Sequence, residues 1–339
     1  MRSLRRPGFV ATMTALCGLL LLTLLLSLGI GAVALSPREV LAVILGRAGA
    51  GDTTTVVIVW DLRLARVLLA ALIGAGLASA GAAFQGLFRN PLADPFVVGA
   101  SGGAALGATL AIITNLNVRG AGLGPVPLAA FVGALLAVAV VYGVAEVGGS
   151  APATSLLLAG AALSTLLSAA VSTLLIMNDQ PLYEVFAWLL GGLSGRSWPH
   201  LRASAPYLVV SLAWLWLLAR PLDALACGEE TAQSLGLSLH RTRGAVVAAA
   251  SLTTAAAVAT GGIIGFVGLI APHIARLLFG GSHARLIPAS ALLGALLLLL
   301  ADNLARTVAA PLELPVGIVT ALLGGPFFLY LLKTRGQAA

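Results

Sequence analysis

The chain has few charged residues. Only 9% of its 339 residues are Asp, Glu, Lys or Arg, whereas 59% are hydrophobic. A soluble domain carries about 25% charged residues, and the mean hydropathy here is +1.04. This composition excludes an ordinary soluble protein and indicates a chain that crosses a membrane several times.

Lysine and cysteine are also scarce. Lys333 is the only lysine, and Leu332 stands where the glycine of a P-loop would precede it. No Walker A motif is present, so the sequence shows no nucleotide site of its own. Cys17 lies in an apolar run and Cys227 in a polar stretch. Their separation disfavours a disulfide and gives no support to a metal site.

Patterns for catalysis and ion coupling are missing as well. The histidines show neither HExxH nor paired ligand spacing, and there is no Gly-x-Ser-x-Gly motif. Proton-driven carriers keep ionisable residues inside their spans, whereas Glu146, Asp302 and Glu313 fall towards the ends of predicted spans. The sequence therefore predicts a translocating helical bundle without its own energy source.

Long apolar runs make up most of the chain. A span needs roughly 20 apolar residues, and helices suit runs of this length because lipid offers the backbone no hydrogen-bond partners. The first run exceeds the roughly 7–15 residues of a signal peptide core, so we expect a retained helix although residues 32–34 resemble a cleavage site. Ten spans are predicted, at 9–35, 64–86, 96–114, 126–147, 152–176, 205–219, 244–261, 263–280, 286–304 and 316–332.

An even number of spans puts both termini on one side. Arg2, Arg5 and Arg6 at one end and Lys333 and Arg335 at the other indicate that this side is cytoplasmic. Eleven of the nineteen basic residues then lie inside and eight outside, which is a weak bias. We interpret the net charge of +7 as topology and not as nucleic-acid binding. Some of the outer arginines are expected to have another role.

Two predicted spans contain helix-breaking residues. Pro91 and Pro95 flank Asp94 after the second span, and Pro272 and His273 fall in the second half of the eighth. Interrupted helices line cavities in membrane proteins more often than they face lipid. We therefore expect breaks at both places.

Residues 220–243 are the polar exception in this apolar chain. Gly228 and Gly236 divide the stretch into two short pieces, since glycine commonly ends a helix. The second piece begins with Glu229 and Glu230, which suit the positive end of a helix dipole. A short loop resting on lipid headgroups is one interpretation, and a docking element for a soluble partner is the other. Leu225, Leu235, Leu237 and Leu239 are predicted to form its apolar face.

Several segments resemble the permease family of ABC importers for iron-siderophores, haem and vitamin B12. The resemblance rests on Trp-Asp-Leu-Arg-Leu-Ala-Arg at 60–66, on Gln-Gly-Leu-Phe-Arg-Asn-Pro-Leu-Ala-Asp-Pro at 85–95 with Gly-Ala-Ser-Gly-Gly at 99–103, on Gly-Glu-Glu at 228–230 with Leu-Gly at 235–236, on residues 265–276 and on Glu-Leu-Pro-Val-Gly at 313–317. These motifs cover nearly the whole chain in family order.

The resemblance implies an all-α membrane protein that forms one permease domain over residues 1–339. It implies ten transmembrane helices, cytoplasmic N- and C-termini, and the membrane subunit of a type II ABC importer in the bacterial cytoplasmic (inner) membrane. Implied partners are a second copy of the chain, two cytoplasmic ATPases and a periplasmic or lipid-anchored binding protein. The chain would bind no cofactor, because ATP and Mg belong to the ATPases. It would be a transport subunit and not an enzyme.

The resemblance also assigns residues to three roles. It places ATPase coupling in the loop 220–243, on Gly228, Glu229, Glu230, Thr231, Leu235 and Gly236. It places binding-protein docking on Arg63, Arg66 and Arg306, where the alternative is snorkelling at the membrane interface. It places the cytoplasmic gate on Asn90, Leu92, Thr154 and Ser155. Helix capping by Thr154 or Ser155 and a plain Asn-Pro turn are the alternatives for the gate.

The cargo is less sharply indicated than the machinery. Residues 182–198 resemble siderophore importers more than those for haem or vitamin B12. An ion-coupled secondary carrier is a different class and would need ionisable residues within the spans. An integral-membrane enzyme would need a cluster of histidines or carboxylates there.

Overall fold

The computed structural model describes residues 8–47, 53–116, 124–146, 152–178 and 182–336. All regular structure within these ranges is helical. The N-terminal arginines predicted to lie inside the cell fall outside the described residues. The first half contains α1 (Phe9–Gly29), α2 (Pro37–Ile44), α3 (Thr53–Val57), a π-helical segment (Ile58–Leu64), α4 (Ala65–Leu87), α5 (Ala100–Ile113), α6 (Pro125–Ala145) and α7 (Ala153–Met177).

The second half begins with a short helix and a bent pair. It contains α8 (Leu182–Leu189), α9 (Trp198–Leu217), α10 (Ala219–Ala226), α11 (Glu229–Ser234), α12 (Leu239–Gly261), α13 (Val267–Phe279), α14 (His283–Thr307) and α15 (Val316–Gly336). Each of the ten predicted spans overlaps one helix of this series, so the all-helical prediction is confirmed.

Not all of these helices are long enough to cross a membrane by themselves. Among the described residues six helices are long and apolar enough, or seven if α9 and α10, which meet at 51°, form one span. Three further apolar helices are shorter, namely α5, α13 and Val316–Leu331 of α15. The chain is therefore a multi-pass helical protein, and the count of ten spans stays a prediction.

Several boundaries differ from the prediction for local reasons. Helix α1 ends at Gly29, and α2 then begins with a capping box in which Ser36 accepts from the N–H of Glu39 and the Glu39 carboxylate accepts from the N–H of Ser36. Helix α5 begins at Ala100 because residues 88–99 form a loop. The short helices α2, α3 and α8 were not expected, since neither their length nor their pattern marks a span.

The eighth span is broken, but at a different place from the one predicted. Helix α13 continues through Pro272, so that proline does not interrupt it. The break lies before the helix, where Phe266 has a left-handed φ of 68°. A Cβ on Gly324 of α15 would lie 2.1 Å from the Phe266 ring. The unusual backbone is thus held by close packing against α15.

Helix α4 is the centre of the bundle. It is buried along most of its length and packs against α9, α12, α13 and α14. Glycines allow the closest approaches: a Cβ on Gly74 would lie 2.2 Å from the carbonyl oxygen of Gly294 in α14, and one on Gly81 would lie 2.0 Å from that of Gly268 in α13. Small residues at these crossings let the backbones touch, as is typical of membrane helices.

A matched pair of glycine substitutions tests this packing. Gly74→Ala should lower the midpoint of thermal unfolding in detergent, because the added methyl group meets backbone and cannot be accommodated by a side-chain shift; overpacking costs about 1–3 kcal/mol. Gly143→Ala in α6 is the control, since nothing lies within 4 Å of its Cβ position. Both changes raise helix propensity equally. Equal midpoints for the two variants would contradict the packing argument.

Candidate functional site

The polar stretch 220–243 folds as two short helices between α9 and α12. Helix α10 ends at Ala226 and α11 spans Glu229–Ser234. Gly228 and Gly236 have positive φ angles of 121° and 82°, which favour glycine. The predicted division of the stretch at these glycines is confirmed, and so is a helix that begins with two acids. The pieces form compact, hydrogen-bonded turns and not a slack linker.

The leucines of this stretch do not share one face, contrary to the prediction. Leu225 is buried, and Leu237 and Leu239 pack against the same core. Leu235 instead is 68% exposed at the end of α11, because the turn at Gly236 directs it away from the bundle. The inward leucines anchor α10 and α11, which together we call the handle. Leu235 is an apolar side chain on its outer surface.

Glu229 connects α11 with two other elements. Its carboxylate forms an ion pair with Arg243 of α12, a side chain that is only 5% exposed. The same Oε1 lies 3.9 Å from Nη2 of Arg89, the residue next to Asn90. One carboxylate of the predicted coupling set therefore contacts the residue that precedes Asn90 of the predicted gate set. Exposed pairs such as Arg89–Glu229 contribute about 0–1 kcal/mol, so this contact can break and re-form at little cost.

The 88–99 loop contains Asn90, Leu92 and Asp94. Asn90 is exposed, and its Oδ1 accepts from the N–H of Leu92 at 3.0 Å, which is an Asx turn. Asp94 Oδ1 accepts from the N–H of Phe96 at 2.9 Å. The local Asn-Pro turn is therefore present. The gate role of Asn90 and Leu92 stays a prediction, since a turn and a gate are compatible.

Thr154 and Ser155 lie in the first turn of α7, and neither is its cap. The N-cap is Pro152, which makes no side-chain capping hydrogen bond. Thr154 is exposed and Ser155 is half-buried. Capping is thus not the reason for these hydroxyls, while their predicted gate role stays untested.

A second link joins the polar stretch to the bundle. Asp223 of α10 accepts from the backbone N–H of His283 at 2.8 Å and lies 2.6 Å from its Nδ1. The imidazole of His283 packs on Gly86 of α4, where a Cβ would lie 2.3 Å from Nε2. This contact was missed from the sequence, since it joins three helices that are distant along the chain. It connects α10 to the end of α4 that leads into the 88–99 loop.

The three predicted docking arginines are buried at the opposite end of the bundle. Arg63, Arg66 and Arg306 are 7%, 8% and 3% exposed. Arg66 pairs with Asp302 at 2.9 Å and with Glu313 at 2.8 Å. Arg306 Nε lies 3.1 Å from the other oxygen of Asp302. Two arginines and two carboxylates thus form a closed cluster, and these guanidiniums do not project into solvent as snorkelling side chains would.

Arg63 and Arg306 also satisfy the end of α1. Arg63 donates to the carbonyls of Leu28, at 2.8 Å, and Val33. Arg306 donates to the carbonyl of Ile30 at 2.8 Å. The last carbonyls of a helix have no partners within it and carry partial negative charge. The two arginines supply both donors and positive charge, and so they fix α1 against α14 and the π-helical segment.

The burial of the acids in this cluster is not evident from the sequence. Asp302 lies towards the end of α14, as predicted, and it is 0% exposed. The available signal was its position four residues before Arg306 in an apolar helix, a spacing that places both on one face. Glu313 lies outside the helices; burial tends to raise its pKa, but its hydrogen bonds and charge interaction with Arg66 lower that pKa below the ordinary value.

No group of three metal-ligating side chains is found in the described ranges. What the structure defines is a multi-pass bundle with a rigid polar handle at one end, connected to a loop and a helix of the core. That is the construction of a transporter's membrane subunit.

The chain belongs to the FecCD transport family, whose model matches residues 19–334. It is 48% identical over 83% of its length to a cobalamin import system permease of Halobacterium salinarum, covering 75% of that protein. It is 39% identical over 99% of its length to an Fe(3+)-citrate import system permease of Bacillus subtilis, covering 98%. The resemblance seen in the motifs is thereby confirmed.

A solved structure gives the same result for the fold. An inward-facing protein assigned to the metal-chelate type of ABC transporter superposes with a TM-score of 0.84 and 32% identity, covering 96% of this chain and 99% of that one. The chain is a permease subunit of an ABC importer.

Asp94 gives a pH-dependent test of the 88–99 loop. Burial raises the pKa of Asp94 from 3.8 to about 6, although the Phe96 N–H opposes the shift. A raised pKa means that the fold favours the protonated acid, so this contribution to stability is complete below pH 3.8 and is lost as the pH rises through about 6. Asp94→Asn should remove this part of the decline in unfolding midpoint, which falls between about pH 4 and 6.

The control for that experiment is Asp61→Asn, which changes an exposed acid. Its pH profile should match that of the unaltered protein. A profile for Asp94→Asn that keeps the full decline would show that Asp94 does not titrate with folding.

Proposed function

We propose that this chain carries an iron-siderophore-type metal chelate inward across the bacterial cytoplasmic (inner) membrane. The proposal rests mainly on the handle α10–α11. Bonds from Glu229 to Arg243 and from Asp223 to His283 fix it against the bundle, and Glu229 also contacts Arg89 of the 88–99 loop. Membership of a family whose relatives include cobalamin and ferric citrate permeases supports a metal chelate as cargo. Haem or vitamin B12 on the same machinery is the alternative cargo.

The proposed topology has ten spans and cytoplasmic termini. The long helices, the bent pair α9–α10 and the three shorter apolar helices together supply these spans. A short helix can serve as a span when irregular backbone beside it is buried in protein, and the packing of Phe266 before α13 is of this kind. The handle and the 88–99 loop then face the cytoplasm, whereas the arginine cluster faces the outside.

The proposed partners are a second copy of the chain, two ATPases and a binding protein. Helix α7 supports the second copy, because only Leu156, Gly160 and Val171 of it are buried in the single subunit. Thr154, Thr165, Ser168 and Ser172 recur at helical spacing on one side of it, and Thr165 and Ser172 bond back to their own helix. Such a mildly polar stripe suits a pathway between two subunits better than a lipid-facing surface.

ATP and Mg would bind to the ATPases, which dock on the handle. Leu235 is an apolar contact on its surface, and Glu230 and Thr231 are exposed beside it. Movement of α11 would reach the 88–99 loop through Glu229 and Arg89, and movement of α10 would reach α4 through Asp223 and His283. Asn90 and Leu92, with Thr154 and Ser155 of α7, would close the cytoplasmic end of the pathway.

The docking role of Arg63, Arg66 and Arg306 stays a prediction. Their burial favours an indirect form of it, in which the arginines brace the outer surface on which a binding protein would rest. Charge reversal there would unbalance a buried cluster, and breaking such pairs costs about 3–5 kcal/mol. Reversal is therefore a test of folding before it is a test of docking.

A secondary carrier is the competing class, and an experiment separates the two. The tagged chain, purified from native membranes, should retain an ATPase subunit, and uptake of ferric chelate into reconstituted vesicles should require ATP. Asp302 is a buried acid within a long span that a proton relay could use, but both its oxygens are held by arginines. Uptake driven by a proton gradient in vesicles without an ATPase would overturn the proposal.

Substitutions in α11 test the coupling role. Replacing Glu229-Glu230-Thr231 by Gly-Ser-Gly should uncouple ATP hydrolysis from uptake, because the helix and both ion pairs of Glu229 are lost. Glu229→Gln alone should lower the cargo carried per ATP hydrolysed, with assembly intact. Measured uptake and hydrolysis in the same vesicles give this ratio.

The matched control is Glu146→Gln. Glu146 is an exposed glutamate at the same end of the bundle with a weak contact to His240 at 3.8 Å, but it has no link to α11. Its transport ratio should stay at the original value. Normal coupling in the Gly-Ser-Gly variant would refute the role of α11.

A further inference from the structure

A cavity of about 450 Å³ lies beside α8 and has no role in the mechanism proposed above. We call it the α8 pocket. It is bounded by α8 and the residues that follow it, by the end of α12 and by residues 313–315. In the proposed topology it opens at the outer end of the subunit. Its volume falls in the range of ligand sites, about 300–1,000 Å³.

The backbone of the α8 pocket is fixed by glycine contacts. Gly191 and Gly262 have positive φ angles of 68° and 70°. A Cβ on Gly262 would lie 2.5 Å from the carbonyl oxygen of Trp188. The N–H of Gly192 donates to the carbonyl of Gly261 at 2.8 Å. The loop after α8 is thus locked to the end of α12, and the side chains on it are presented from a preformed wall.

Two buried donors in this wall lack acceptors in the described part of the chain. Trp188 is 8% exposed, and its indole N–H makes no hydrogen bond. The Nε–H of Arg196 is also buried and unbonded. Buried polar groups in native proteins are nearly always hydrogen-bonded, so each exception needs an explanation. Two exceptions that line one cavity point to a ligand with acceptor atoms.

The neighbours of Arg196 do not complete its bonding. Its Nη1 lies 3.2 Å from Nε2 of His200. The Nδ1 of that ring lies 3.4 Å from the backbone nitrogen of Ser197. The tautomer of the imidazole decides which of the two ring nitrogens accepts. In either tautomer the ring contacts only Nη1, so the Nε–H of Arg196 still has no acceptor among the described residues.

Among the described residues, neither acid that lines the pocket forms an ion pair with Arg196. Glu313 is already held by Arg66 at 2.8 Å. Glu184 is exposed at the rim on α8. Burial lowers the pKa of the Arg196 guanidinium, as expected for a cation that has lost water without gaining a counter-charge.

We propose that the α8 pocket binds an anionic oxygen group of the transported chelate, a carboxylate above all, through the Arg196 guanidinium and the Trp188 indole N–H. The planar guanidinium of Arg196 can bind a carboxylate through two hydrogen bonds. The indole N–H of Trp188 in α8 supplies a further donor. This inference rests on the proposed function in chelate import and adds the chemical class of cargo that the subunit would recognise.

Binding by the complete transporter tests the proposal. The probes are ferric citrate, which carries carboxylates, and a neutral ferric trihydroxamate, with affinity measured by calorimetry in nanodiscs. Arg196→Gln should weaken ferric citrate binding about tenfold or more, since a charge-assisted hydrogen bond is lost. Trp188→Phe should weaken it less. Binding of the neutral chelate should change little.

Arg202→Gln is the matched control, because Arg202 is exposed in the second turn of α9, six residues after Arg196, and lies against the ring of Trp198. It removes the same charge without touching the pocket and should bind ferric citrate as the unaltered protein does. Equal affinities for Arg196→Gln and Arg202→Gln would overturn the proposal.

Stability without ligand separates a binding role from a structural one. The Nε–H of Arg196 has no acceptor among the described residues, so Arg196→Gln should unfold at the original temperature or above it. A lower midpoint would mean that the guanidinium stabilises the fold, and the proposal would fail. Trp188→Phe does not enter this comparison, because Trp188 belongs to the core and its truncation leaves a cavity. Unaltered transporter that imports the neutral chelate but does not bind ferric citrate would overturn the pocket alone. Unaltered transporter that imports no chelate would overturn the proposed function.

Discussion

Close packing along α4 is the constraint on which the rest of this structure depends. In lipid there is no hydrophobic force between helices, so helices associate through contact of small residues and through polar bonds. Helix α4 has both. Arg66 at one end bonds to α14, Gly74 and Gly81 meet α14 and α13 in the middle, and Gly86 receives His283 at the other end. A shift of α4 therefore requires its neighbours to move with it.

The two ends of the bundle use charge in opposite ways. At the Glu313 end, arginines are buried and their partners are complete, so the arrangement is rigid and costly to break. At the α11 end, the contact between Arg89 and Glu229 is long and half-exposed, with 51% and 46% of the two side chains accessible. A weak pair can exchange partners during a cycle, whereas a strong one holds a frame. The contrast separates a braced end of the bundle, at Glu313, from an end at α11 that is held in part by an exchangeable ion pair.

The α8 pocket departs from the otherwise complete bonding at its end of the molecule. The nearby cluster of Arg66, Asp302, Arg306 and Glu313 leaves no charge unmatched, while Arg196, a few residues from α8, has no acid. Arg196 and the cluster arginines lie in the same part of the bundle. They differ in that the cluster arginines have carboxylate partners and Arg196 has none among the described residues. Incomplete bonding in a preformed wall is what a site for a transient ligand requires.

The sequence by itself determined the class of the fold, the approximate helices, the handle with its glycine stops and the family, because these depend on local composition, periodicity and contiguous motifs. Only the tertiary structure decided the roles of the long-range partners. Arg66 meets Asp302 across 236 positions and Asp223 meets His283 across 60, and no local pattern encodes such pairs. The same limit explains why the sequence groups Leu235 with Leu225, Leu237 and Leu239 on one apolar face and does not reveal the burial of the three docking arginines. Burial depends on which helices surround a residue, and that is fixed by packing alone.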